Sequence, residues 1–168
     1  SYTWYMYKYT LSTAWDVSTA NYDNVSSNQS FYETTSYKIY NDGWYLFTCS
    51  RWNKKIYRYT FWTAWDITTL QSSPMEFSLS NVASNYHEVV LNPQWTQMFI
   101  LERQNKKVSI YNLSTAWDIT TATLSNSYTY SNPNDTNVCS IAISEDGDKM
   151  YLWLYNQNYV YQYSTVWS

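Results

Sequence analysis

The chain has 168 residues, of which 21% are aromatic and only 14% are charged, and its formal net charge is -3. Proteins that bind nucleic acid or anionic membranes carry a basic surface, and the sequence offers no such footprint. It also contains no apolar run long enough to span a bilayer or to form the core of a signal peptide. We therefore expect no nucleic-acid binding and no membrane insertion.

The chain opens on the aromatic run "SYTWYMYKYTL", which is equivalent to "NKKIYRYTF" in the first period and to "NYVYQYSTVW" near the end. The chain thus carries one spare copy of a strand, and we expect it to be a piece of something longer. An unpaired strand this apolar would be a sheet edge prone to pair with another chain. We predict that residues 2–11 complete a sheet supplied by another subunit or by an upstream repeat. The residues of this assembly strand are Tyr2, Trp4, Tyr5, Tyr7 and Tyr9.

Four strands are predicted in each period that follows. Three short runs of aromatic and β-branched residues precede a Trp-Asp motif, as in "KIYNDGWYLFTCSRWNKKIYRYTFWTAWD", and a fourth such as "EFSLSNV" comes after it. "NDG" and "EDG" between the first two runs indicate a tight hairpin, because Gly adopts positive φ without a Cβ clash. The middle repeat has "NPQ" at this point, which leaves its hairpin geometry open.

The motif returns at a nearly fixed spacing. It reads "STAWDVST", "WTAWDITT" and "STAWDITT", a clipped "STVWS" ends the chain, and successive Trp anchors lie 50, 52 and 50 residues apart. A four-stranded unit of this length is typical of a β-propeller blade. The sequence predicts an all-β fold of three four-stranded blades and one extra strand. The predicted units are residues 1–11, 12–61, 62–113 and 114–168.

The Tyr-rich strand, "STAWD", the Ser/Thr pair and "DGDKMY" together resemble the tandem AWD-type β-propeller repeats of phage and bacterial surface proteins. Those repeats are distantly similar to lactonase-type and NHL-type propellers. The resemblance covers essentially the whole chain and implies the propeller architecture. It does not imply an activity, because propellers host unrelated functions.

Repetition of the motif favours a structural role. A flat indole at a fixed place in each blade can wedge between neighbouring sheets, and an Asp followed by Ser or Thr can fold its carboxylate onto backbone N–H groups as an Asx-turn. We expect inter-blade packing at Trp15, Trp65, Trp117, Trp167, Asp16, Asp66 and Asp118.

Propellers close with about four to eight blades, so three blades alone would leave sheet edges with unpaired backbone groups. Two copies could form a six-bladed ring, the repeats could continue in a longer polypeptide, or the spare strand could join subunits head to tail. The expected partner is therefore a second copy or a neighbouring repeat.

Sequons and cysteines bear on location. Asn-x-Ser/Thr occurs at Asn24, Asn28, Asn112 and Asn134, which predicts glycosylation and an extracellular, cell-surface or virion-surface protein. Cys49 and Cys139 occupy non-equivalent repeat positions. Buried free thiols and a disulfide, between subunits or across the ring, both remain open.

Catalytic residues are not evident. His87 is the single histidine, so no zinc ligand set can be assembled, and no Gly-rich phosphate loop is present. Acidic residues could line a pore, but Asp42, Asp146 and Asp148 belong to predicted turns. We expect no metal, no cofactor and no enzymatic activity.

The favoured function is a non-enzymatic extracellular structural subunit that self-assembles into a fibre, ring or surface layer. The alternative is a lectin-like carbohydrate-binding or adhesive module, because exposed Tyr and Trp stack on sugars and Asn supplies amide hydrogen bonds. A second alternative is a lactonase-like propeller enzyme, which would need acidic, Asn and His ligands converging on the axis.

Overall fold

The structure is a computed structural model that describes residues 3–27, 31–32, 34–79, 86–130, 138–154 and 159–165. The strands are β1 (Thr3–Trp4), β2 (Tyr7–Leu11), β3 (Ala20–Ser26), β4 (Phe31–Tyr32), β5 (Thr34–Tyr40), β6 (Tyr45–Ser50), β7 (Lys55–Thr60), β8 (Met75–Ser78), β9 (Tyr86–Leu91), β10 (Gln97–Glu102), β11 (Lys107–Leu113), β12 (Ala122–Thr129), β13 (Val138–Ile143), β14 (Lys149–Leu154) and β15 (Tyr159–Ser164). Short 3-10 helices occupy Val17–Thr19, Ile67–Thr69 and Ile119–Thr121.

Neighbouring strands pair antiparallel in chain order. The first full sheet is β5–β8 and the second full sheet is β9–β12. The C-terminal sheet is β13–β15, and the N-terminal sheet is β2–β3, next to a short β1–β4 pair. The predicted all-β fold is confirmed.

The number of blades stays a prediction. Among the described residues, two sheets have four strands, one has three and two have two, where three sheets of four and one spare strand were expected. The Trp-Asp motif connects the third and fourth strands of a sheet, since it lies between β7 and β8 and between β11 and β12. Boundaries drawn at 12–61, 62–113 and 114–168 therefore cut through sheets.

A residue of positive φ closes the turn between the first and second strands of each larger sheet. These residues are Gly43 at 89°, Trp95 at 60° and Gly147 at 78°. Trp95 donates its N–H to the Asn92 carbonyl at 3.0 Å, so the middle hairpin forms without Asp-Gly. We name each segment between these two strands the first turn of its sheet.

The N-terminal strand pairs within its own chain. Thr10 lies opposite Asn21 and Leu11 opposite Ala20 in the β2–β3 ladder. The prediction that residues 2–11 pair only outside the chain is therefore wrong for β2, because the Trp-Asp turn folds β3 back onto it. All five β2 residues are exposed, and no described strand pairs with the β2 edge that faces away from β3. Trp4 pairs with Phe31 in β1–β4, and Tyr2 lies outside the described residues.

The last strand departs from the alignment made on the Trp anchors. Ser164 pairs with Lys149 in the C-terminal sheet, and Asn112 pairs with Gln97 at the same place in the second full sheet. Ser164 is therefore equivalent to Asn112, which lies 52 residues before it, whereas the Trp anchors predict a spacing of 50. A shift of two residues leaves each side chain on the same face of the sheet, so the alternating pattern tolerates it. Trp167, the fourth predicted anchor, lies outside the described residues.

Apolar residues fill the spaces between consecutive sheets. Met98 and Ile100 of β10 face the first full sheet, while Phe99 and Leu101 face the C-terminal sheet. This alternation buries both faces of a central strand. A third cluster around Phe31 lies between the N-terminal sheet and the first full sheet.

Glu88 connects the first strands of three sheets. Strand β9 lies against β5 and β13. One carboxylate oxygen of the buried Glu88 accepts the Ile141 N–H at 2.7 Å, and the other lies 2.8 Å from Lys38 Nζ. A single side chain thus joins β5, β9 and β13.

We predict that Glu88→Ala lowers the free energy of unfolding by about 2 kcal/mol, because the Ile141 N–H loses its partner in a buried position and Lys38 loses its counter-charge. Glu88→Gln is the matched control: it keeps an acceptor oxygen and should cost about 1 kcal/mol. Urea denaturation measures both values. Equal losses for the two variants would contradict the role given to the Ile141 hydrogen bond.

Candidate functional site

The three Trp-Asp turns share one backbone conformation. Trp15, Trp65 and Trp117 have φ of 66°, 64° and 68°, a left-handed conformation that is rare for a bulky residue. The Asp that follows each Trp caps a 3-10 helix and accepts the N–H two residues later at 3.0 Å. This is the Asx-turn that the sequence predicts.

Hydroxyl groups reinforce these caps. The Ser18 hydroxyl and N–H both bond to Asp16, and Thr68 bonds to Asp66 in the same way. These hydrogen bonds, the hydroxyl one foremost, lower the pKa of both carboxyl groups. The motif therefore needs a Ser or Thr two residues after the Asp.

Two of the Trp residues cover the first turn of their own sheet. The Trp65 N–H bonds to the Gly43 carbonyl at 3.0 Å, and a Cβ on Gly43 would lie 2.5 Å from the Trp65 ring. The Trp117 N–H bonds to the Trp95 carbonyl at 3.2 Å, and the two indoles stack with centroids 4.2 Å apart. The motif thus clamps the end of its third strand onto the turn between the first two.

Trp117 also contacts the preceding sheet. Its ring lies 5.2 Å from that of Tyr45 and 6.3 Å from that of Tyr40, centroid to centroid. The Arg58 guanidinium donates to the Trp117 carbonyl at 3.0 Å and lies 4.5 Å above the Tyr45 ring. Of the described anchors, Trp117 is the one whose ring pairs span two sheets.

The expectation that every Trp wedges between sheets needs correction. Trp65 is 57% exposed and covers its own turn. Ile67 and Ile119, two residues after the Trp, are buried in the clusters between sheets, and their 3-10 helices contact β3 and β8 of the preceding sheets. These two positions were not among the predicted packing residues, although an apolar Ile follows Trp-Asp in both motifs.

No described residue covers Trp15 in this way. It has the backbone of the other two anchors and the same Asp cap, yet its side chain is 96% exposed. Val17, at the position of Ile67 and Ile119, is 81% exposed. Both faces of the N-terminal Trp-Asp turn are therefore open.

Two of the four sequon asparagines and both cysteines lie among the described residues. Asn24 lies exposed within β3 at φ 56°, and Asn112 is exposed on β11. Asn28 and Asn134 lie outside the described residues. Cys49 and Cys139 are not joined by a disulfide, and burial raises the pKa of the Cys49 thiol to about 12.

Ligand sites within the described ranges are few. No three His, Cys, Asp or Glu side chains in this part of the chain could hold a metal ion together. Its helices are single 3-10 turns, none of them long and apolar enough to cross a bilayer. One open cleft of about 490 Å³ lies between the N-terminal segment and β5, and its lining residues are Tyr5, Met6, Tyr7, Thr34 and Tyr37.

We predict that Gly43→Ala destabilises the fold more than Gly147→Ala. Both residues have positive φ, which costs about 1–2 kcal/mol for a residue with a Cβ. Only at Gly43 does the new Cβ strike an indole, and such overpacking adds about 1–3 kcal/mol. At Gly147 the nearest described atom, Pro93 Cδ, lies 3.6 Å away. Urea denaturation of both variants checks this, and equal losses would contradict the Trp65 clamp.

The sequence matches no family model and no curated protein. Solved structures do match. A candidate 6-phosphogluconolactonase from Bacteroides fragilis has a TM-score of 0.58 and 15% identity, with coverage of 78% of this chain and 37% of that one. A second, from Bacteroides uniformis, has a TM-score of 0.60, 10% identity and coverage of 94% and 46%.

The β-propeller domain of Myceliophteria thermophila Cps50 (Swd1) matches with a TM-score of 0.60, 13% identity and coverage of 90% of this chain and 46% of that one. The chain spans less than half the length of each of these structures. Identities this low show the fold and do not confirm the AWD-type repeat family. The chain is an all-β protein of β-propeller type.

Proposed function

We propose that this chain is a non-enzymatic structural module that assembles with further copies of itself through its N-terminal and C-terminal sheets. The observation that carries the proposal is the asymmetry of the sheets. The two central sheets have four strands, whereas the described N-terminal and C-terminal sheets have two and three.

The open edges are apolar. Tyr7 and Tyr9 of β2 are 58% and 59% exposed, and Tyr159 and Val160 of β15 are also exposed. An edge strand with aromatic side chains and unpaired backbone groups is a template for pairing with another chain.

We place this assembly outside the cell or on a cell or virion surface, with glycans at the sequons. The support for this placement is the four sequons in the sequence and the exposure of Asn24 and Asn112. Propeller folds of unrelated function share this architecture, so the placement depends on the sequons and not on the fold.

A lectin-like module is the second candidate. The cleft beside Tyr5 and Tyr7 offers aromatic faces to a sugar ring, and Thr34 adds a hydroxyl. Titration with soluble oligosaccharides, followed by intrinsic fluorescence, tests this candidate. Binding by a protein that stays monomeric would favour it over assembly.

Light scattering after size-exclusion chromatography tests the main proposal. We expect masses at multiples of 20.1 kDa at micromolar concentration. The double substitution Tyr7→Lys and Tyr9→Lys places charges on the β2 edge and should weaken assembly at least about tenfold without unfolding the chain.

The matched control is Trp52→Lys with Trp62→Lys, which changes two exposed aromatic residues away from the open edges and should leave assembly unchanged. Electron microscopy of the same material separates rings from filaments. A monodisperse 20.1 kDa particle at all concentrations would contradict the proposal.

A further inference from the structure

Among the described residues, none lies under Trp15 as a first turn lies under Trp65 and Trp117. In both full sheets the Trp-Asp turn donates its Trp N–H to the first turn of the sheet and lays the indole on it. The N-terminal sheet has the Trp-Asp turn, with the same φ and the same Asp cap, but its described strands correspond only to the third and fourth strands of a full sheet. The element that would lie under Trp15 is therefore a first-strand and second-strand hairpin.

The described C-terminal sheet has such a hairpin without a Trp-Asp turn over it. Its first turn contains Gly147 at φ 78°, and the described atoms nearest to a Cβ there belong to Pro93 and Gln94. The Gly147 carbonyl accepts a hydrogen bond from the Thr165 hydroxyl, whereas the equivalent carbonyl of Gly43 accepts the Trp65 N–H.

Strands β2 and β15 are chemically interchangeable. Ser164 of β15 and Thr10 of β2 both occupy the position in their strand that Asn112 occupies in β11, as the strand pairings show. In this register "YMYKYT" of residues 5–10 aligns with "YVYQYS" of residues 159–164, with Tyr at the same three positions. Tyr161 and Tyr163 pack against the cluster between the second full sheet and the C-terminal sheet. Tyr7 and Tyr9 can supply the same contacts.

We propose that the β2–β3 hairpin of one copy replaces β15 of a second copy beside β14, with Trp15 covering the second copy's Gly147 turn. This inference rests on the proposed self-assembly and specifies its junction. Two reciprocal junctions give a closed dimer of six four-stranded sheets, two full sheets from each copy and two shared between the copies. Release of β15 also frees the Gly147 carbonyl for the Trp15 N–H.

Val17 supplies the second contact of this junction. Ile67 and Ile119 are buried in 3-10 helices that contact the last strand of the preceding sheet, β3 or β8. In the exchanged sheet the preceding last strand is β12 of the second copy, and β12 is largely exposed, with Leu124 at 58%. The uncovered Val17 and the uncovered face of β12 therefore complement each other.

The exchange conserves backbone pairing. The ladder between β14 and β15 is lost, the ladder between β14 and the partner's β2 replaces it, and the β2–β3 ladder is kept. What the exchange adds is a fourth strand, cover for the Trp15 indole and burial of Val17. Apolar burial of this kind is the dominant favourable term in association.

Analytical ultracentrifugation of the full chain over a concentration series tests the junction. Trp15→Ala should raise the dimer dissociation constant at least about tenfold, since aromatic anchors dominate interface energies. Its melting temperature at low concentration should stay unchanged, because the side chain is 96% exposed in the monomer. Trp52→Ala, a matched change at a 67% exposed Trp on another turn, should leave the dissociation constant within about twofold.

Val17→Asp provides an independent variant, since it places a carboxylate against the partner's β12 and should also weaken the dimer at least about tenfold. Wild-type dimerisation that neither Trp15→Ala nor Val17→Asp alters would overturn the junction while leaving self-assembly intact. A wild-type chain that remains monomeric at all concentrations would overturn the proposed function and the junction together.

Discussion

The bond between a Trp-Asp turn and the first turn of its sheet is the interaction on which the rest of this structure depends. It holds the connection between the third and fourth strands of a sheet against the turn between the first and second strands. Trp65 makes this contact over Gly43, and Trp117 makes it over Trp95. The Asp cap then directs Ile67 and Ile119 into the space between sheets. A left-handed Trp is an unfavourable backbone choice, yet all three anchors adopt it, including the exposed Trp15, whose turn carries the Asp16 cap.

Much of this architecture could be predicted from sequence. Alternation and Asp-Gly turns identified the strands, and the regular spacing of Trp15, Trp65 and Trp117 identified the repeat. Because Asp followed by Ser or Thr has a strong local preference, the Asx-turn at these motifs was also predictable. These are local signals, and each depends on residues close together in the chain.

Long-range features were not predictable in the same way. The indole of Trp65 lies over its own turn because Gly43 has no side chain, a relation between residues 22 positions apart. The register of β15 escaped the alignment because a shift of two residues preserves the face pattern. The Glu88 bridge to Lys38 and Ile141 has no sequence signature, since it joins three separate sheets.

Amide hydrogen exchange at the three Trp anchors tests the central claim most directly, because the motifs differ little except in what lies beneath them. In dilute protein the account predicts slow exchange at the Trp65 and Trp117 N–H groups, which bond to the Gly43 and Trp95 carbonyls, and exchange close to the unprotected rate at Trp15. Equal protection at all three residues in the dilute protein would show that the protection of the Trp N–H does not come from the bond to a first turn and would contradict the account.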